Sequence, residues 1–98
     1  MTRPSDRSQP LCAPLPADPT PTGTRVVVKA RGRYRGMPGT IVVINDERSE
    51  RSGQLVHREY GVAFKPTSIG WYRGRERRLR QGADCTWFAP EELAILDS

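Results

Sequence analysis

The sequence predicts an all-β fold: a small closed barrel of five or six short antiparallel strands with one 3₁₀ turn, behind a disordered N-terminal tail. Three observations carry this expectation. Apolar residues recur with period two in short runs, the pattern of half-buried strands. Clusters of Gly, Pro and Asn punctuate those runs as turns. The chain has only 98 residues, room for one domain. In so small a sheet, closure removes exposed strand edges.

The elements follow in order. Residues 1–22 hold six of the nine prolines, with apolar residues scattered singly between them. Nothing there offsets the entropy of ordering the backbone, so a disordered tail is expected. Pro16, Pro19 and Pro21 loosely match a Pro-rich peptide ligand. The folded domain is expected over residues 23–98, which hold all seven aromatic residues.

Residues 24–31 alternate as a first strand. Val26, Val28 and Ala30 face one way, and Arg25, Lys29 and Arg31 the other. Residues 32–39 form a turn with three glycines and Pro38. Residues 40–44 read as a β-branched strand, apolar on both faces. A charged loop spans residues 45–54, with Asp46-Glu47-Arg48-Ser49-Glu50-Arg51 as a solvated hairpin end. Residues 55–65 form the next strand, with Tyr60, Val62 and Phe64 on one face and Gly61 and Ala63 on the other. Pro66 ends it. Residues 69–72 read as a weaker strand and 73–82 as an Arg-rich arm. Leu79 is the one apolar residue among residues 73–80, which argues against a buried amphipathic helix there. Residues 85–88 form another strand. Pro90, Glu91 and Glu92 then suit a 3₁₀ turn before a last strand over residues 94–96.

Net charge is +5, and its placement says more than its sum. Arg25, Lys29, Arg31, Arg33 and Arg35 occur within eleven residues without an acid. Arg73, Arg75, Arg77, Arg78 and Arg80 face only Glu76. The remainder of the chain is net negative. Concentration of this kind is the electrostatic footprint of a polyanion-binding surface. Arg outnumbers Lys 14 to 2, which suits bidentate phosphate contacts and also fits a GC-rich coding bias.

Other classes are disfavoured. No apolar run approaches the ~20 residues of a membrane-spanning helix. Coiled-coil heptads and an export signal are missing, so the expected location is the cytoplasm, with Cys12 and Cys85 as reduced thiols. One His and two Cys cannot make a zinc site without carboxylates. His57 reads as a strand-surface residue, and Glu91 and Glu92 as helix-start charges. There is no P-loop, G-x-G-x-x-G or local triad. The expectation is a protein that is not an enzyme and takes no cofactor.

Residues 23–44 resemble the KOW motif. Gly23, Val26 and Val28 precede Gly32-Arg33-Tyr34-Arg35-Gly36 and a Gly39-x-Ile41 step. Three residues separate Val28 from Gly32 where the usual pattern has two, a difference that a bulge at Ala30 and Arg31 would absorb. The run Trp87-Phe88-x-Pro90-x-Glu92-Leu93 resembles the end of many SH3-like barrels. The resemblance implies an SH3-like barrel over residues 23–98 and RNA, or a ribonucleoprotein or transcription complex, as the favoured partner.

The expected nucleic-acid-binding residues are Arg31, Arg33, Tyr34, Arg35, Trp71, Tyr72, Arg73, Arg75, Arg77, Arg78 and Arg80. The arginines would meet phosphates on one cationic surface. Tyr34, and Trp71 or Tyr72, would stack on bases, although core packing is the default role of Trp71, Tyr72, Trp87 and Phe88. Strong sequence specificity is not implied. The alternative is an SH3-like protein-docking module with a protein partner.

Overall fold

The alternating apolar runs do pair as strands, but the sheet they build stays open. A computed structural model describes residues 11–17, 19–66 and 68–97. The strands are β1 (Leu11–Pro14), β2 (Arg25–Val28), β3 (Pro38–Arg48), β4 (Leu55–Ala63), β5 (Thr86–Phe88) and β6 (Leu93–Asp97). Two short helices, α1 (Ile69–Arg73) and α2 (Glu76–Arg80), lie between β4 and β5. A 3₁₀ turn, Pro90–Glu92, links β5 to β6. All pairings are antiparallel, in the order β1-β6-β2-β3-β4-β5.

The closed barrel, and with it the KOW and SH3-like resemblance, is therefore corrected. The fold is mixed α/β, a six-stranded open sheet carrying two helices. A barrel would need β5 to close against the far side of the sheet. Instead β1 occupies the outer edge of β6, with Leu11 opposite Asp97 and Pro14 opposite Ala94. The strand that fills this edge comes from the stretch expected to be disordered. The strand Leu11–Pro14 thus departs from that expectation, while residues 1–10 and 18 lie outside the described ones. The segment after β1 is held as well: Thr20 is buried, and its N–H donates to the Tyr60 hydroxyl at 3.0 Å.

Apolar side chains gather on both faces of the sheet. On the first face Val26, Val28, Ile41, Tyr60, Val62, Phe88 and Leu93 form one cluster. On the second, Val42, Val43 and Ala63 pack with Tyr72 and Leu79 from the helices. The β3–β4 register shifts between Ile41 and Val43. That bulge turns two successive valines onto the second face. It explains a strand that is apolar on both sides. β3 also continues through Arg48, so Asn45, Asp46 and Glu47 pair with β4 rather than forming a loop.

The two helices replace the expected strand and arm. Leu79 is 0% and Tyr72 1% exposed, and both cover the second face. Ile69, Tyr72 and Leu79 recur at helical spacing, and one leucine suffices to anchor α2 because Tyr72 supplies the neighbouring anchor. No helix among the described residues is long and apolar enough to cross a membrane.

Gly61 sets how closely the second face packs. It lies opposite Val43 on one side and Trp87 on the other. A Cβ at this position would overlap Val43 Cγ1 and lie 2.9 Å from Cys85 Sγ. Gly61→Ala is expected to lower stability by about 1–3 kcal/mol through overpacking. The check is a urea titration, in which the midpoint falls at constant slope. An unchanged midpoint would mean that the layer over β4 yields freely.

Candidate nucleic-acid interface

The helices carry the densest positive charge of the described residues. Pro66 ends the extended chain, and α1 starts at Ile69 with Trp71 N–H donating to Ser68 O at 3.1 Å. Tyr72 points into the sheet, and the backbone departs from helical geometry at Arg75 (φ −129°, ψ 27°) before α2. The Arg75 N–H donates to Tyr72 O at 2.9 Å and the Leu79 N–H to Arg75 O at 3.0 Å. With Tyr72 and Leu79 turned inward, Arg73, Arg77, Arg78 and Arg80 are exposed. Arg78 lies 3.8 Å from the Asp84 carboxylate across an exposed contact. Arg73, Arg77 and Arg80 have no carboxylate within ion-pair distance among the described residues.

Arg75 behaves differently from its neighbours. Its guanidinium lies over the Trp71 ring, 4.0 Å from the centroid, and Nη1 donates to Trp71 O at 2.9 Å. Trp71 is itself 39% exposed, and it meets the buried Tyr72 edge-on at 4.9 Å. The result is a planar cation fixed on an exposed indole that is braced against a core ring. Tyr72, 1% exposed, has no face left for a base.

The turn of residues 32–37 is built separately. Gly32 (φ 135°) and Gly36 (φ 82°) supply its left-handed positions. Gly36 N–H donates to Val28 O at 2.8 Å and Met37 N–H to Tyr34 O at 2.9 Å. This geometry folds Tyr34 back onto the first face, stacked on Phe64 at 4.9 Å and edge-on to Phe88 at 6.1 Å. Its ring completes the core instead of standing ready for a base. Arg33 lies 5.8 Å from the Tyr34 centroid, and Arg31, Arg33 and Arg35 are exposed.

The sheet lies between the turn and the helices. On β4, Tyr60 and Val62 point to the first cluster, and Gly61 and Ala63 to the second. Tyr34 packs on the first face and α1 and α2 on the second. The turn is therefore anchored on one face of the sheet and the two helices on the other.

Two features escaped the sequence. Arg58, 7% exposed, is a structural cation. Its Nε and Nη2 donate to Asp46 Oδ1 and Oδ2 at 2.7 and 3.0 Å, and Nη1 donates to Ala17 O at 3.0 Å. The paired guanidinium holds the Asp46 carboxyl below its ordinary range. The second feature is a groove of about 630 Å³ between residues 14–17, the start of β4 and the 3₁₀ turn, with Leu55, Val56 and His57 on its wall. Val56 is 65% exposed. Only the docking of residues 14–17 creates this groove, so no local pattern signals it.

Burial pushes the Cys85 thiol up to about 11, and its Sγ approaches Leu79 O at 3.5 Å. His57 Nε2 lies 3.3 Å from Glu59 Oε1 on the surface. Among the described residues no group of three or more His, Cys, Asp or Glu is placed to hold a metal ion. No family model matches the chain, no curated protein matches its sequence and no solved structure matches its fold.

Proposed function

We propose that this protein is a small nucleic-acid-binding module that meets phosphates through the α1–α2 face. The observation that supports the reading is the exposed set Arg73, Arg77, Arg78 and Arg80, of which only Arg78 has a carboxylate within ion-pair distance among the described residues, Asp84 at 3.8 Å. Guanidinium groups so placed neutralise backbone phosphates and release counterions, giving affinity without reading base edges. The early turn, on the other face, is a secondary footprint at most. The preference for RNA rested on the KOW resemblance, so the proposal is for nucleic acid in general.

The test is a titration of labelled single- and double-stranded RNA and DNA at several salt concentrations. Affinity should fall steeply with salt. The Arg77→Gln/Arg78→Gln/Arg80→Gln variant should reduce the magnitude of the slope by roughly two, at about 0.7–0.9 for each lost phosphate contact. All three side chains are exposed, so the variant should melt as the parent does. Absence of binding to all four at low salt overturns the proposal.

One observation favours a second reading, a protein-docking module. The groove beside Leu55 and Val56 leaves apolar side chains open to solvent. A protein partner that loses affinity on Val56→Asp, with no nucleic-acid binding, would favour it.

A further inference from the structure

We infer that the Trp71–Arg75 pair is a base-stacking platform, so that the α1–α2 face selects single-stranded over duplex nucleic acid. This inference rests on the nucleic-acid reading above and names its substrate class. Four observations carry it. The Arg75 guanidinium sits 4.0 Å from the Trp71 centroid. Its Nη1 is tied to Trp71 O, which limits its freedom before any ligand arrives. Trp71 remains 39% exposed. The Tyr72 ring braces the indole from the core at 4.9 Å.

A guanidinium held over an aromatic ring offers a flat, weakly hydrated surface, and a nucleobase stacks on such a surface readily. Bases in a duplex have both faces covered by their neighbours. Unpaired bases do not, and they stack on aromatic rings and Arg planes. The exposed Arg73, Arg77, Arg78 and Arg80 belong to the same two helices. A strand could therefore place a base on the platform while its phosphates meet these side chains. A face that used phosphates alone would have no need of an exposed indole fixed in this way.

The experiment compares three labelled probes on the full chain: a 12-nucleotide oligouridine or oligothymidine, a 12-base-pair duplex, and an abasic 12-mer with the same phosphates. The base-bearing single strand should bind more tightly than the abasic strand by about five- to a hundred-and-fiftyfold, the range of one stacked base, whereas the duplex, whose bases cover one another, should gain nothing from the platform. Arg75→Lys keeps the charge and removes the plane, so it should reduce affinity for the base-bearing strand toward the abasic level. Abasic and duplex binding should be nearly unchanged. Trp71→Ala should have the same pattern, and Arg75→Lys keeps the test sound if Trp71→Ala disturbs the fold. Equal binding of base-bearing and abasic strands, still sensitive to Arg77, Arg78 and Arg80, would overturn the platform and leave phosphate binding standing. So would unaltered discrimination in Arg75→Lys. Failure of all probes to bind at low salt would overturn the platform and the nucleic-acid reading together.

Discussion

Asp46→Ala is expected to destabilise the fold by about 1–3 kcal/mol, because it leaves the largely buried Arg58 guanidinium without its carboxylate partner. Arg58 is 7% exposed and donates two hydrogen bonds to Asp46 and one to Ala17 O. Asp46 itself reaches solvent, so water can take over part of the lost contact. A domain of this size has only a few kcal/mol of net stability, so part of the variant should be unfolded at growth temperature. Thermal and urea unfolding measure the loss. The Asp46→Leu/Arg58→Met double variant should recover much of it, since an apolar pair avoids the cost of burying an unpaired charge. If the single variant loses less than about 1 kcal/mol, the contact is no more than an ordinary surface pair.

The same pair sets an acid limit. Arg58 lowers the Asp46 pKa in the folded state. Stability from this contact is therefore fully present above about pH 4, where the unfolded chain's aspartate is ionised as well. It is lost as pH falls through the depressed folded-state value. Stability of the parent should drop over that acid range, and Asp46→Ala should show a shallower drop. Parallel curves would mean that other carboxylates govern acid unfolding.

Leu79→Ala is the second large effect. Leu79 is 0% exposed and packs with Val42, Val43, Ala63 and Tyr72. Truncation should cost about 2–5 kcal/mol from lost burial and the remaining cavity. A five-residue helix has no stability of its own, so α2 should loosen before the sheet melts. Amide exchange should then rise first over residues 76–83. Affinity for nucleic acid should fall as well, though no arginine has been removed, because the charges lose their fixed spacing. Leu79→Met should preserve both properties. Loss of stability without any loosening of residues 76–83 would show that α2 melts only with the sheet.

Several strands and their inward faces were legible because period-two alternation is a local signal. Val26 and Val28 face the core, and Arg25 lies outside, as the alternation implies. Tyr60 and Val62 share a face for the same reason. The 3₁₀ turn at Pro90 lies where the proline and two acids place it. The helices were not legible as helices. Ile69-Gly70-Trp71-Tyr72 suits a strand by composition, and the Ile69, Tyr72 and Leu79 spacing is too sparse to outweigh that. The decision was made by the second face of β3 and β4, where Val42, Val43 and Ala63 needed covering.

The candidate site divided in the same way. Which residues are cationic is plain from the chain, but which cations share a surface is not. Tyr34 anchored its turn on one face and Tyr72 and Leu79 anchored the helices on the other, because successive β4 side chains point in opposite directions. Tyr34 and Tyr72 were absorbed by the core, while Trp71 stayed outside under Arg75.

By itself, then, the sequence determined β2, the apolar parts of β3 and β4, β5 and β6, the Gly-rich turn, the 3₁₀ turn and two concentrations of positive charge, since each depends on residues close together along the chain. Tertiary structure alone decided that the sheet stays open, that β1 fills its edge, that the Arg-rich stretch folds as helices and that Arg58 is structural. Those outcomes rest on contacts between distant segments, where burial and pairing outweigh the weak preferences of any short stretch.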